Sequence, residues 1–386
     1  MEDLMNALAQ SRFEAPALWA ELQPYRFEDK SHLIRVYRRF ISWGLCELLC
    51  RESVRLTVID AERAVQAAEL AVLVADLLKE EAPDGSSLLY QLRGYAWAHD
   101  GNARRVLGDL RNAEESFSIA DAWWEAGEAS VGDVLGYEPM LLEHKASLRL
   151  AQRRFPEAFQ ALDRLVAIHT DGCRAEHQDR HLAGRALIKK SLGFTEMGEH
   201  GQAIELLRDA EGLVDAHRDP RLHLCLRHNL LSNLTSIEEY GEATRLLPQV
   251  SALCHELGNP LDLLRLRWTE GRIAAGLGDT DAAIELFQGL RHEFATRGIA
   301  YDAALVTLEL TALYARQGAV AEVKELSLEM AGIFQAQDVP REALAALLFF
   351  QKAAERERAT AKLARDIASF LEKLRSNPGL SFQWMQ

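Results

Sequence analysis

The sequence predicts an all-α protein built from repeated pairs of helices, on three observations. The composition favours helix, because Ala, Leu, Glu and Arg dominate and only 10 prolines and 24 glycines occur in 386 residues. Small residues recur at a nearly constant spacing within amphipathic segments. Turn residues and prolines stand at fixed offsets from these small residues. Together the patterns predict stacked helix pairs that share one continuous core rather than separate globular domains.

The stretch 94–127 contains the clearest single repeat. A Trp and a Gly lie four residues apart on a first helix, a tight turn follows, and a small–large–small pattern occupies a second helix. The residues are Trp97, Gly101, Gly108, Asp109, Ala113, Phe117 and Ala120. This order resembles the tetratricopeptide repeat (TPR), in which short side chains let two helices cross closely. Asp100 and Arg104 depart from the resemblance, because the family usually has Leu and Tyr there.

Residues equivalent to Ala113 recur on both sides of this repeat. They are Ala64, Ala113, Ala158, Ala203, Ala243, Ala283, Val323 and, as the weakest, Ala361, separated by 49, 45, 45, 40, 40, 40 and 38 residues. Pro220, Pro260 and Pro340 each follow such a residue by 17 positions, where one repeat passes to the next. Because this junction falls later than in the TPR pattern of about 34 residues, we expect helices of about 15 to 18 residues.

The resemblance extends over residues 40–372 and implies a right-handed TPR-like α-solenoid of about seven helix-turn-helix repeats. The layout is similar to that of bacterial peptide-sensing TPR regulators and of TPR regions that follow a DNA-binding helix-turn-helix, although the sequence contains no such motif. We expect a short helical N-terminal cap at 1–38, the solenoid at 39–374 and a C-terminal tail at 375–386. Pro16 and Pro24 predict short, interrupted helices in the cap.

Charge and cysteine content argue against several classes of partner. A formal charge of −14 disfavours binding to nucleic acid or to anionic membranes, which both require a cationic surface. Five scattered cysteines indicate reduced thiols. The N-terminus lacks an apolar signal core, and no apolar stretch is long enough to span a bilayer. The sequence therefore indicates a soluble, cytoplasmic protein, and it leaves the oligomeric state open.

The sequence contains no recognisable catalytic signature. GxSxG, HExxH and Gly-rich phosphate-loop motifs are all missing, and the carboxylates are spread along helix surfaces. We therefore expect a protein that is not an enzyme and needs no cofactor. Cys46 and Cys50 lie four residues apart on an apolar helix, a pattern typical of thiols packed in a core rather than of redox chemistry.

One cluster has the residue types of a metal site. His169, Cys173, His177 and His181 follow one another at intervals of four, and two of the histidines would share a helical face. Thr170-Asp171-Gly172 interrupts the helix, however, so the four side chains need not converge. We expect exposed histidines rather than a zinc site, and the cluster remains the place where an enzymatic function would reside.

Three segments outside the regular pattern are candidates for contact with a partner. The links 126–139 and 170–178 are long, and such loops commonly take part in binding. Trp123-Trp124 precedes the first link, and we expect one ring to pack into the next repeat while the other packs too or serves as an exposed anchor. In the tail, Phe382 and Trp384 predict either packing against the last helices or a loose docking peptide.

The concave face of a TPR solenoid is lined by its first helices, and the repeat register predicts which side chains face it. The set is Asn102, Arg105, Glu143, Lys189, His228, Asn229, Trp268 and Arg272. In peptide-binding TPR proteins, Asn at such positions holds the ligand backbone, and Arg or Lys binds carboxylates. Trp268 would supply a flat apolar surface. The alternative is that these are ordinary helix-surface polar residues and a half-buried Trp.

The first functional hypothesis is a non-enzymatic scaffold or adaptor that binds a protein partner or an extended peptide in the groove or at the 126–139 link. The second is a peptide-responsive regulator whose superhelical curvature changes on ligand binding and which controls a separately encoded effector. A hidden enzyme at the 169–181 cluster is the third.

Overall fold

The computed structural model describes residues 2–78, 85–131, 136–171, 179–336, 341–376 and 380–382. Within these ranges the regular structure is α-helical apart from one 3-10 turn, Arg38–Phe40, and it includes no strand. The all-α fold class is confirmed. The chain divides into two compact units, Met1–Lys190 and Ser191–Gln386, which we call unit 1 and unit 2.

Unit 1 begins with two helices and continues as helix pairs. Its helices are α1 Glu2–Leu22, α2 Phe27–Val36, α3 Trp43–Leu56, α4 Ala61–Leu77, α5 Gly85–Leu107, α6 Leu110–Val131, α7 Glu138–Ala151 and α8 Phe155–Asp171. The unit boundary falls within α9, Arg180–Met197.

Unit 2 consists of further pairs. Its helices are α10 His200–Glu211, α11 Pro220–Ser236, α12 Tyr240–Leu257, α13 Pro260–Leu277, α14 Thr280–Thr296, α15 Ala300–Gln317, α16 Val320–Ala336, α17 Arg341–Glu355 and α18 Ala361–Ser376. Most paired helices have the expected length. The exceptions include α5 and α6, with 23 and 22 residues, and α10, with 12.

Every second helix of a pair starts in the same way, and this start explains the spacing of the small residues. The fourth residue beyond the capping position is buried and donates its N–H to the C=O of the capping residue. These residues are Ala64, Ala113, Ala158, Ala203, Ala243, Ala283, Val323 and Ala364. The last one corrects the sequence register. Ala361 is only the first residue of α18 and is partly exposed, whereas Ala364 is fully buried.

A residue in the left-handed conformation precedes the second helix in most pairs, five positions before the buried small residue. The glycines are Gly108, Gly198, Gly278 and Gly318, with φ of 90°, 82°, 88° and 75°. Glycine adopts this conformation without a steric penalty because it has no Cβ. Arg153 and Glu238 occupy the same place in two other pairs, with φ of 58° and 65°. The turn geometry is therefore kept even where the residue type is not favourable.

In two helix pairs, a glycine on the first helix also permits close packing. A Cβ on Gly101 would lie 2.7 Å from the ring of Phe117, and a Cβ on Gly271 would lie 2.5 Å from the ring of Phe287. Both phenylalanines are buried in the cores of their units. The large residue of the TPR-like pattern thus fills the space that the glycine leaves open.

The two departures from the TPR pattern on α5 form a polar network in place of an apolar contact. Arg104 donates to Asp100 at 2.7 Å and to Glu69 at 2.8 Å, and Ser116 donates to Asp100 at 2.7 Å. Asp100 is 1% exposed, so its charge requires these partners. The network joins α4, α5 and α6.

The N-terminal segment is helical, but α1 is longer than the prolines predict. It runs for 21 residues with Pro16 inside it, so the expectation of short helices interrupted at Pro16 is wrong. Proline removes one helical N–H donor, here the partner of the Arg12 carbonyl. Packing compensates, because α1 approaches α3 so closely that a Cβ on Gly44 would lie 2.1 Å from the carbonyl oxygen of Ser11.

The link predicted at 126–139 is shorter than its glycines suggest. Helix α6 continues to Val131, and α7 begins at Glu138. Gly127 lies inside α6, where a Cβ would meet the carbonyl oxygen of Ser87 at 2.7 Å. This glycine therefore permits close packing of α6 on α5 and does not form a turn. Residues 132–135, and those of the 172–178 link, lie outside the described ranges.

The C-terminal end of unit 2 packs back onto its last helices. The ring of Phe382 lies 5.0 Å from that of Phe370 and 5.9 Å from that of Phe349. Arg375 near the end of α18 donates to Asp302 of α15 at 2.8 Å. Trp384, the other aromatic residue of the predicted tail, is outside the described residues.

We predict that Glu238→Gly stabilises the protein. Glu238 holds a left-handed conformation that costs an L-residue about 1 kcal/mol and costs glycine nothing sterically. The urea midpoint of unfolding should therefore rise. Glu239→Gly is the matched control, since Glu239 has an ordinary φ of −77° and should gain no stability from the change. A lower midpoint for Glu238→Gly would contradict the prediction.

Candidate functional site

In unit 1, the first helix of each helix pair contributes aromatic and polar side chains, and these side chains form one row. Tyr95, His99 and Asn102 are spaced by four and three residues and share one face of α5. The ring of Tyr95 lies 4.1 Å from that of Tyr137 and 4.5 Å from that of His99. The ring of His99 in turn lies 5.0 Å from that of His144 on α7. We call the surface formed by α5, α7 and the part of α9 in unit 1 the first-helix face.

A buried carboxylate accepts a hydrogen bond from Tyr137 at one end of this row. Glu47 on α3 is 3% exposed. It accepts two hydrogen bonds from Arg12 at 2.6 and 2.7 Å, one from the Tyr137 hydroxyl at 2.5 Å and one from the Trp43 indole at 3.1 Å. Burial raises the pKa of Glu47, but the hydrogen bonds from Arg12 and Tyr137 outweigh it and leave the pKa below its ordinary value. The carboxylate is therefore charged and structural.

Arg105 and Asn102 occupy adjacent turns of α5. The guanidinium of Arg105 donates to the side-chain oxygen of Asn102 at 2.9 and 3.3 Å. Among the described residues, no carboxylate forms an ion pair with Arg105. Burial accordingly lowers the pKa of its guanidinium. Asn102 is 6% exposed, so it orients Arg105 more readily than it could hold a ligand backbone.

The carboxylate of Glu143 on α7 bridges two cations of α9. It accepts from Lys189 at 3.0 Å and from Arg185 at 2.5 Å, and Lys189 also donates to the hydroxyl of Ser147 at 2.9 Å. Burial raises the pKa of Glu143, but the charges of Lys189 and Arg185 leave it below its ordinary value. Four sequence-predicted residues thus lie on this face, and they form two hydrogen-bonded pairs, Asn102 with Arg105 and Glu143 with Lys189.

The two histidines of this face are neutral. His99 is 3% exposed, and neither ring nitrogen has a hydrogen-bond partner among the described residues. Burial lowers its pKa well below the ordinary value, and the neighbouring His144 lowers it further. For His144, burial and the charges of Lys189, Arg105 and Arg185 lower the pKa to about 3.

In unit 2 the predicted residues lie on the first helices α11 and α13. Nε2 of His228 is buried without a hydrogen-bond partner among the described residues, and burial lowers the pKa of this histidine. The side chain of the neighbouring Asn229 is partly exposed, and its backbone carbonyl accepts from Asn233. Among the described residues, no hydrogen bond or ion pair joins either side chain to a cation.

Trp268 and Arg272 on α13 take part in packing and in an ion pair. The indole of Trp268 packs edge-on against Phe294 at 5.9 Å and contacts two apolar clusters of unit 2. Arg272 lies 3.5 Å from Glu309 of α15. Burial raises the pKa of Glu309 to about 7, against the opposing effect of Arg272. The apolar contacts leave Trp268 half-buried, so only part of its indole surface could meet a ligand.

The sequence register missed two histidines of the first-helix face and three residues next to it. These are His99 and His144 on the face, and Arg12, Glu47 and Tyr137 beside it. The i, i+4 pair Tyr95–His99 and the i, i+7 pair Tyr137–His144 would have placed them on the same helical faces. The pairing of Arg12 with Glu47 has no such signal, because 35 residues separate them.

The cysteine pair and the tryptophan pair have structural roles. Cys46 and Cys50 are buried, as expected of core thiols. Trp124 is buried, whereas Trp123 packs 5.4 Å from Tyr90 and beneath the Arg93 guanidinium at 4.9 Å, so it is not an exposed anchor.

For the metal cluster, His169 and His181 are buried rather than exposed. Cys173 and His177 lie outside the described ranges, so their grouping is not tested. Elsewhere in the described chain, no group of three or more His, Cys, Asp or Glu side chains has the arrangement of a metal site. No described helix is long and apolar enough to cross a bilayer.

Comparison with known proteins identifies the fold. No protein-family model matches the sequence, and no curated protein matches it. Among solved structures, the chain is similar to a Rap protein complexed with competence and sporulation factor. The two are 14% identical with a TM-score of 0.53, over 86% of this chain and 92% of the Rap chain.

Two further structures share a weaker likeness. Aspartyl phosphate phosphatase F from Bacillus subtilis is 14% identical with a TM-score of 0.48, over 89% of this chain and 97% of its own. The TPR-like repeats of a putative kinesin light chain from Podosopora anserina are 20% identical with a TM-score of 0.40. The match covers 54% of this chain and 94% of the kinesin light chain structure. Helix pairing, turn geometry and the Rap likeness together define a helical-repeat protein. The chain is a TPR-like α-solenoid.

The neutral histidines predict a loss of stability in mild acid. Folding lowers the pKa of His99. The stability that depends on its neutral form is therefore fully present above the unfolded-state pKa of about 6.5, and it is lost as the pH falls below that value. Between pH 7 and 5 the cost is at most about 2 kcal/mol. Urea unfolding of His99→Gln should therefore depend less on pH than that of the parent. His217→Gln, at an exposed histidine, should not differ from the parent.

Proposed function

We propose that this protein is a non-enzymatic scaffold or adaptor that binds an extended peptide or a segment of a partner protein along its first helices. The observation that carries the proposal is the half-buried Arg105, whose guanidinium has no carboxylate partner among the described residues. An unpaired, partly desolvated cation on a side-chain row is unfavourable for stability alone. Binding of a partner would supply the missing acceptor.

The surroundings of Arg105 suit a peptide. Aromatic rings of Tyr95 and Tyr137 lie along the same row, and aromatic residues together with Arg dominate the energetics of protein interfaces. The predicted set in unit 2, Asn229 with Trp268, offers an amide and part of an indole surface on neighbouring first helices. A location in the cytoplasm is part of this proposal.

A second candidate function is a ligand-responsive regulator that controls a separate effector. The specific observation in its favour is the fold likeness to a Rap protein solved in complex with competence and sporulation factor. A regulator of this kind changes its curvature when ligand binds, because small rotations between repeats add up along the array.

Peptide-display selection against the purified full chain tests the proposal. We expect selected peptides to bind Arg105→Met about tenfold more weakly, since a charge-assisted hydrogen bond is lost. Arg111→Gln is the matched control, because Arg111 is exposed on α6 of the same helix pair and should leave the affinity unchanged. Selection that yields no peptide above background, or peptides that bind both variants equally, would count against a ligand site on the first-helix face.

Small-angle scattering then separates the two candidates. With a selected peptide at saturation, a scaffold should keep its radius of gyration, whereas a regulator should change it. An unchanged radius in every complex would exclude the curvature mechanism.

A further inference from the structure

A cavity of about 350 Å³ lies in unit 1, where the N-terminal helices α1 and α2 meet the first helix pair, α3 with α4. Its lining residues belong to these four helices and to the turn that follows α1. The cavity is therefore built without the helices of the first-helix face. Ligand pockets in proteins commonly have volumes of about 300–1,000 Å³, so this cavity has room for a small molecule.

Part of the lining is apolar. Leu56, Ala67 and Leu70 line the cavity and are buried. The aromatic rings of Trp19 and Phe27 also line it, and they pack against the core of unit 1. A bound molecule with an organic group would therefore remove apolar surface from water, which a bare inorganic ion could not do.

The charged side chains of the lining have a positive balance. They comprise three cations, Lys30, Arg55 and Arg63, and one carboxylate, that of Glu52. Nε and Nη2 of Arg55 each lie 2.9 Å from Oε2 of Glu52, so these two charges are paired. Within the described chain, no ion pair includes Lys30 or Arg63. The lining therefore has a net charge of +2, although the chain as a whole has a formal charge of −14.

The two unpaired cations act on each other. Nζ of Lys30 lies 5.3 Å from the centre of the Trp19 ring. Burial lowers the pKa of Lys30, and the positive charge of Arg63 lowers it further, with no opposing effect from a described carboxylate. Like charges without a counter-charge repel each other, so an anion bound beside both would stabilise the protein.

The indole of Trp19 contributes a hydrogen-bond donor without an acceptor. Its Nε1 atom is buried, and no described residue accepts a hydrogen bond from it. An indole nitrogen can only donate, and a buried donor that lacks an acceptor is costly. A ligand oxygen in the cavity would satisfy this donor. An ammonium, a guanidinium and an indole N–H, all of them donors, thus belong to the lining of one cavity.

A phosphate monoester has the charge and the acceptors that this lining requires. It carries a charge of about −1.5 to −2 at neutral pH and offers three acceptor oxygens. A carboxylate carries a single negative charge and would leave one of the two cations unbalanced. Lysine binds phosphate as a point charge, and arginine binds it through its planar fork. The apolar part of the lining favours an organic group attached to the phosphate.

We propose that the cavity between α1, α2, α3 and α4 binds a small organic phosphate monoester. Lys30, Arg63 and the indole N–H of Trp19 hold the phosphate, and the organic group packs against Leu56 and Leu70. The three donors come from α2, α4 and α1, so the ligand ties the N-terminal helices to the first helix pair. This site goes beyond the proposed scaffold function and does not depend on it.

The test titrates the full chain, isotopically labelled at its indole nitrogens, with phenyl phosphate at neutral pH and constant ionic strength. Trp19→Phe identifies the signal of the Trp19 indole. We expect a saturable shift of this signal, because its N–H gains an acceptor. The signal of Trp268, which belongs to unit 2, should not shift. The absence of a Trp19 shift, or an equal shift with the cation benzylamine, would overturn the proposal.

Three further probes define the ligand class. Benzoate lacks the second charge and inorganic phosphate lacks the organic group, so each should bind about tenfold more weakly than phenyl phosphate. Benzoate that binds as tightly would contradict the assignment to a phosphate. Inorganic phosphate that binds as tightly would show an adventitious ion site only. A phosphoserine peptide that binds more tightly than phenyl phosphate would overturn the assignment to a small molecule.

Variants of opposite sign exclude a simple folding defect. Lys30→Gln and Arg63→Gln should each weaken binding of phenyl phosphate about tenfold, since each removes a charge-assisted hydrogen bond. Glu52→Gln should strengthen it, because the change releases Arg55 from its carboxylate. Arg35→Gln is the matched control, since Arg35 is exposed on α2 and does not line the cavity. Equal affinity in the parent and all four variants would count against the proposed site.

Discussion

The close crossing of two helices at a buried small residue is the constraint on which the rest of this structure depends. Each second helix begins at a capping residue, and the position four residues later must be short so that the backbones can approach. Ala113 and Ala283 are fully buried there. In unit 1 the first helices α5 and α7 pack against each other, so side chains such as those of Arg105 and Glu143 come together without being neighbours in sequence.

Much of the fold was predictable because it is local. The small residues from Ala64 to Val323, the turn glycines and the prolines at 220 and 260 all act within one helix pair, and the structure places them as expected. The last small residue is the exception, because Ala364 and not Ala361 is buried. The sequence predictions were wrong where tertiary packing overrides a local sequence signal. Pro16 lies inside α1, and Gly127 serves a helix contact. The site was only partly predictable. Its register follows from periodicity, but the burial of His99 depends on residues from other helices.

The charge of the whole chain is a poor guide to the charge of this face. Many ion pairs lie along helix surfaces, such as that of Asp121 with Lys145, where solvent screens the charges and the pair contributes little to stability. On the first-helix face the groups are desolvated, so single charges have larger effects. Neutral buried histidines and a half-buried guanidinium without a carboxylate partner among the described residues lower the stability of the free protein. In the proposed complex, a partner would offset this cost.

The hydrogen bond from Tyr137 to Glu47 joins residues 90 positions apart. Helical-repeat proteins usually depend on contacts between adjacent repeats, so that their ends fray and refold independently. Here the start of α7 is tied to α3, and through Arg12 to α1. The first repeats cannot open one at a time without exposing a buried carboxylate. Unit 1 is therefore expected to exchange its amide hydrogens as one cooperative block, with slower folding than its local helix contacts alone would give.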